Sequence, residues 1–207
     1  MKKNHKKLAG FTLIEVLITI SIFTMIAYAV IALISNLYSN ATQQGNLLTG
    51  SDQARKIGFN LANQLRNASY GADGSYSIGQ AESQQLTIYS NADPLPDIEK
   101  IRYYVQNGKL YQGITKPSGG VYNPIDEKNY LILSDLANGA SPVFYYYDGT
   151  YNGNTDNYLA QPVNITLIKF VKISLQIYKK TGLAGSNSTY LVTNGATVRN
   201  LKTNLGN

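Results

Sequence analysis

From Val16 to Ser35 the chain runs for 20 residues without a charge, and nearly all of them are apolar. Wound as an α-helix, that run is roughly 30 Å long, the thickness of a bilayer's hydrocarbon layer. The apolar stretch as a whole extends from Phe11 to Ile34, and Glu15 is its only charge. No further charge follows until Asp52, and the first proline is Pro94. Ahead of it stand Lys2, Lys3, Lys6 and Lys7, whereas all 12 acidic residues come later. A basic head before an apolar span stays in the cytoplasm, so everything after the span is expected on the far side.

An ordinary cleavable signal would have a shorter apolar core followed by a small-x-small site. The residues after this core, Ser35-Asn36-Leu37-Tyr38-Ser39-Asn40-Ala41, offer no such site. The better small-residue site, Ala9-Gly10, lies before the core, and processing there keeps the apolar helix on the mature protein.

Lys6-Lys7-Leu8-Ala9-Gly10 followed by Phe11-Thr12-Leu13-Ile14-Glu15-Val16-Leu17-Ile18 resembles the class III signal of type IV pilins and type II secretion pseudopilins. The resemblance implies cleavage between Gly10 and Phe11 by a prepilin peptidase, which then N-methylates Phe11. It also implies that Glu15 pairs with the N-terminal amine of a neighbouring subunit and sets register in a filament. Read from the residues alone, Thr12-x-x-Glu15 fits a capping box, in which Glu15 bonds a free backbone N–H at the helix start. Such a cap contributes on the order of 1 kcal/mol. A carboxylate buried in an apolar setting costs several kcal/mol. The two roles are compatible.

The helix is expected to continue beyond the membrane. Leu47, Ala54, Ile57, Leu61 and Leu65 recur at helical spacing and form one apolar stripe, with Asp52, Arg55, Lys56, Asn60, Asn63 and Arg66 on other faces. The stripe reads as a seam against a globular head. Gly45, Gly50 and Gly58 each weaken a helix by about 1 kcal/mol relative to alanine, which makes Gly45–Gly50 a candidate for local melting during assembly. Gly71, Asp73, Gly74 and Ser75 mark the end of the helix.

Beyond residue 75 the apolar period changes from 3.6 to 2. Strands are expected at Gln85–Ser90, Lys100–Gln106, Lys109–Ile114, Tyr130–Leu133, Val143–Tyr147, Ile168–Tyr178 and Thr189–Val192, with a last one at Thr197–Leu201. Val171, Ile173, Leu175 and Ile177 alternate with polar neighbours, the pattern of a half-buried strand. Asn107-Gly108 signals a two-residue hairpin. The fold class is α+β, a long N-terminal helix packed on an antiparallel sheet or paired sheets. The expected organisation is a leader at 1–10, a transmembrane and filament-core helix at 11–35, its amphipathic continuation at 36–67 and a β-rich head at 68–207.

Within the head, Ile101-Arg102-Tyr103-Tyr104 leading to Gly108-Lys109-Leu110-Tyr111, then Leu133–Gly139, Val143–Asp148, Ile168–Leu175 and Val198-Arg199-Asn200 follow one order. That order resembles J-type pseudopilins and the related W-type minor pilins, which implies a minor subunit. The sequence departs from many major pilins in having no proline in the anchor and no C-terminal cysteine pair.

Two features suggest ligands. Among 17 tyrosines, Tyr103-Tyr104 and Tyr145-Tyr146-Tyr147 could stack on single-stranded nucleic acid if basic residues interleaved. Arg102 and Lys109 are near the first group, but the second has only Asp148 beside it, so structural tyrosine is the favoured reading and nucleic acid is disfavoured as a partner. Asn152, Asn154 and Asp156 alternate like hard-cation ligands, but no bidentate Glu follows, so a solvent loop is favoured over a calcium site. No other cofactor is expected.

Composition excludes more. Zero cysteine removes disulfides, thiolate metal sites and cysteine nucleophiles. The single histidine, His5, removes a His-based triad or multi-His metal site. Asp93, Asp97 and Glu99 cluster around Pro94 and Pro96 without an activated nucleophile, and no enzymatic signature appears. Loss of the leader's four lysines lowers the side-chain charge from +6 to +2 and takes His5 with it. The basic balance therefore belongs to targeting.

The expected function is a minor pilin-like subunit of a type IV pilus, at or near the filament tip. The alternatives are a type II secretion pseudopilin and a pilus-borne adhesin or DNA-uptake receptor. Expected partners are the prepilin peptidase, sibling pilin or pseudopilin subunits, an inner-membrane assembly platform and, before assembly, lipid. Expected location is a bacterial inner membrane, crossed once with the N-terminus inside, then an extracellular pilus or periplasmic pseudopilus.

Overall fold

A computed structural model describes residues 11–178 and 189–198, the side chains of 42–51 excepted. Gly10 with the rest of the leader, and Arg199 to Leu201, lie outside the described residues. The chain forms two compact units, Met1–Gly45 and Asn46–Asn207. Helix α1, Leu13–Arg66, has 54 residues. Thr12 starts it, accepting at its carbonyl from the N–H groups of Glu15 (3.1 Å) and Val16 (3.2 Å). With no proline before Pro94 the backbone bonds run on uninterrupted, and the backbone is helical through Gly45 and Gly50. A tightened last turn, Ala68 N–H to Leu65 O at 3.2 Å, closes it.

In the second unit the predicted stripe is the buried one. Ala54, Leu61 and Leu65 are fully buried and Ile57 packs against the same core, while the side chain of Leu47 lies outside the description. These residues share one cluster with Leu86, Ile88, Ile101 and Leu110 of one sheet and Val171, Ile173 and Leu175 of another. The first sheet is an antiparallel meander in chain order: β1 (Ile78–Ala81), β2 (Gln85–Ser90), β3 (Glu99–Gln106), β4 (Lys109–Thr115) and β5 (Lys128–Leu133). The second consists of β6 (Phe144–Tyr147), β7 (Phe170–Tyr178) and β8 (Thr189–Thr197). The architecture is thus α+β, one long helix with two antiparallel sheets. The hairpin forms where Asn107-Gly108 calls for it. Both residues take positive φ, 52° and 67°, and Gln106 pairs with Lys109 across the turn.

Two features depart from the sequence reading. Strand β1 was not expected, because Gly79, Gln80 and Ala81 are weak strand formers; pairing with β2 holds it, with a bulge between Ile78 and Gln80. Strand β8 runs on through Asn194-Gly195 to Thr197, where the sequence suggested a stop and then a separate strand from Thr197. The ring of Phe170 explains Gly195, since a Cβ there would lie 2.3 Å from Phe170 Cζ. Gly58 likewise serves packing: a Cβ would stand 3.1 Å from the Asn194 amide nitrogen, so helix and β8 approach closely at this point.

The sheets are joined by backbone and by one buried amide. Ser83 O accepts from the N–H groups of Val143 (2.8 Å) and Phe144 (3.0 Å). Between β5 and β6 in the chain, the segment around Leu136–Asn138 runs beside β7, with Ala137 N–H donating to Gln176 O at 2.7 Å. Buried Asn138 donates to Ser174 O (2.9 Å) and accepts from Gln176 N–H (2.8 Å). Asn138→Ala would leave these backbone groups without their partner, and should lower stability by about 1–3 kcal/mol. Urea unfolding followed by tyrosine fluorescence measures it; an unchanged midpoint would contradict this role.

Candidate functional site

The stretch Leu13–Ala41 of α1 has 29 residues, its most apolar 18-residue window has a mean hydropathy of 2.5, and none of that window is buried within the structure. Leu17, Ile20, Phe23, Met25, Ile31 and Ile34 are all exposed. Three of its hydroxyls bond back to the helix's own carbonyls. Thr19 donates to Val16 O (2.8 Å), Ser21 to Leu17 O (2.8 Å) and Thr24 to Ser21 O (2.9 Å). Glu15 is different. Its N–H reaches Thr12 Oγ1 at 3.4 Å, so Thr12 supplies one half of a capping box. The reciprocal half is missing: among the described residues the Glu15 carboxylate has no hydrogen bond or ion pair. The structure therefore brings Phe11, Thr12 and Glu15 together at the start of the helix and leaves the carboxylate open, with Gly10 beyond the described residues.

The other candidates fall elsewhere. Tyr103 is buried between Gln64 and Gln112, bonded to both. Tyr146 is buried and donates to Glu82 O at 2.7 Å; Tyr147 is buried, donates to Thr155 O at 3.1 Å and packs on Tyr151 and Phe170. Only Tyr104 and Tyr145 of the two clusters combine partial exposure with a cation. The Arg102 guanidinium lies 4.1 Å from the centroid of Tyr104, which stacks on Tyr111 at 5.4 Å. Lys172 Nζ lies 5.2 Å from the Tyr145 centroid. Lys172 could not be seen beside Tyr145 in the sequence, since the β6–β7 register creates the pair. The two aromatic–cation pairs sit on different sheets. Arg102 is moreover held by Glu127 through two bonds of 2.8 and 2.6 Å. That carboxylate occupies the place of a missing side chain: a Cβ on Gly113 would fall 2.1 Å from Glu127 Oε1.

The Asn152–Asp156 loop is built from turns. Asn152 Oδ1 accepts from Asn154 N–H (3.1 Å) and Asn154 Oδ1 from Asp156 N–H (3.0 Å). Among the described residues no group of three His, Cys, Asp or Glu is arranged to hold a metal.

The prokaryotic N-terminal methylation motif matches residues 5–34, the segment that holds Phe11, Thr12, Glu15 and most of the exposed helix. The match is confined to the N-terminal segment of the chain. Comparison with curated proteins finds no match. Among solved structures, a chain of the GspK-GspI-GspJ complex from the enterotoxigenic Escherichia coli Type 2 Secretion System is similar over 72% of this chain and 97% of its own, at 13% identity and a TM-score of 0.43.

The buried tyrosines make alkaline pH a probe of the packing. Burial raises the Tyr103 and Tyr146 phenols above the usual tyrosine range and pushes Tyr147 up to about 12. A folded-state value above the unfolded one means stability that is complete below pH 10 and is lost as pH climbs through the folded value. Absorbance of tyrosinate should therefore include a late phase toward pH 12, in which the buried phenols ionise together with unfolding. A single phase at the ordinary value would contradict the burial.

Proposed function

We propose that this protein is a structural subunit of a pilus-like filament, anchored in the bacterial inner membrane before assembly and held in the filament core by the same helix afterwards. The observation that carries the reading is the exposed apolar surface of Leu13–Ala41, most of which lies within the methylation motif, headed by a Glu15 carboxylate that has no partner among the described residues. Cleavage between Gly10 and Phe11 creates an amine at Phe11, which the peptidase methylates. That amine on one subunit meets the Glu15 carboxylate of its neighbour, and each satisfies a charge that the apolar surroundings penalise. Thr12 holds the first turn in place. The leader stays inside and the β-rich part is delivered outside, in keeping with the positive head.

Pilins and pseudopilins are structural subunits rather than enzymes, and an assembly role suits a mature chain free of cysteine and histidine. The order of head motifs that resembles J-type and W-type subunits supports a minor subunit at or near the tip.

Mass analysis of the mature protein should find an N-methylated Phe11 at the start; a mature chain beginning at Met1 or after residue 35 would sink the processing scheme. Glu15→Gln keeps the size of the side chain and removes the charge. The variant should be cleaved normally yet fall at least about tenfold in filaments, the equivalent of about 1.4 kcal/mol. Normal incorporation would reduce Glu15 to a helix cap. Deletion of the gene reads out the machine: loss of pili and motility fits the pilus subunit, and loss of protein export with intact pili fits a secretion pseudopilin.

A further inference from the structure

A pocket of about 440 Å³ opens within the second unit, where the loop after β2 meets the end of β4. At its base is Glu99, the first residue of β3, which is 0% exposed. One carboxylate oxygen, Oε2, accepts from Ala92 N–H at 2.8 Å. The other, Oε1, is buried and has no hydrogen bond; the Lys116 ammonium is 4.0 Å away and is itself bonded to Asp93. A second carboxylate on the wall, Asp126, is exposed and has no partner among the described residues. Lys128 is the only other cation on the wall, so three carboxylates face two ammonium groups. Ile114, Pro117 and Tyr130 supply an apolar side.

A buried carboxylate oxygen without a donor is costly. The pocket is short of one positive charge and of hydrogen-bond donors, and it offers an apolar lining beside them. A guanidinium on an alkyl stem meets all three needs, and its planar fork of donors can serve two carboxylates at once. The surroundings point to a protein as its source. Val121 and Ile125, in the loop that runs from Ser118 to Asp126 along the wall, are 63% and 89% exposed, apolar surface for a partner chain to cover around a central anchor. We propose that this pocket receives an arginine side chain of a partner protein, with Glu99 and Asp126 as its acceptors. The pocket lies wholly within Asn46–Asn207 and needs no assembled filament.

The test uses the full chain in detergent micelles, labelled with ¹⁵N, and a capped leucine–arginine–leucine tripeptide beside its citrulline analogue. The arginine peptide should shift the amides of Ala92, Glu99 and Lys116, and the citrulline peptide should bind about tenfold more weakly. Glu99→Gln should weaken binding by a similar factor. Asp126→Asn, an exposed change that leaves the core untouched, should weaken it several-fold. Equal binding of the two peptides, or no localised shift at about 10 mM peptide, would overturn the proposal. Putrescine binding as tightly as the arginine peptide would replace the partner protein with a diffusible amine and overturn it equally.

Discussion

A helix as apolar as Leu13–Ala41, with none of it buried, has to be removed from water by something other than its own chain. At about 25 cal/mol per Å² of apolar surface, exposure on this scale costs far more than the 5–15 kcal/mol that holds a domain together. Lipid and a bundle of like helices are the two covers that suit it, because both accept a helix whose backbone and hydroxyl groups are already satisfied internally. Thr19, Ser21 and Thr24 meet that condition by bonding back to their own turns. The same α1 further along obeys the opposite rule: from Asp52 on, polar residues face water and Ala54, Leu61 and Leu65 enter a core built from both sheets.

That core also decides what the tyrosines do. Tyr103 and Tyr146 sit among aliphatic residues with each hydroxyl on a protein partner, so their rings bury large area without leaving a polar atom stranded. Two glycines set how close the layers come. At Gly58 the helix lets Asn194 approach, and at Gly195 the strand lets Phe170 lie across it. A helix-weakening or strand-weakening residue is thus retained where its missing side chain admits another.

What could be read from the sequence was what local pattern encodes. Strand β7 announced itself by strict alternation at Val171, Ile173, Leu175 and Ile177, the hairpin by Asn107-Gly108, and the buried helical stripe by its spacing. The N-terminal motif was legible because its signal is linear: basic leader, Gly10, Phe11, Glu15, apolar span. What was not legible depends on register between distant strands. Glu127 meets Arg102 across 25 positions, and only the β3–β4–β5 pairing over Gly113 brings them together. Lys172 reaches Tyr145 in the same way. Glu99 looked like one of three acids in a proline-rich turn, and its burial follows from its place at the start of β3. Gly79 and Gly195 spoke against strands that pairing and packing nevertheless hold.

The proposed assembly turns on a difference between the two covers for the apolar helix. Lipid tails and neighbouring helices are similarly apolar, so the hydrophobic effect that takes the helix out of water hardly distinguishes them. An ionisable side chain does, because an ionised carboxylate in hydrocarbon costs about 3 kcal/mol on insertion scales and recovers that cost beside a fixed cation. The chain holds one such group in the span, Glu15, and among the described residues nothing pairs with it. In an unprocessed chain no amine exists at Phe11 to meet it. Cleavage would therefore do two things in one step, removing the leader's four lysines and producing the positive charge that makes a neighbouring helix a better environment than lipid. Processing and assembly are coupled in this scheme by electrostatics at a single carboxylate, which is why one charge in an otherwise uncharged span can direct the helix without adding to its apolar surface.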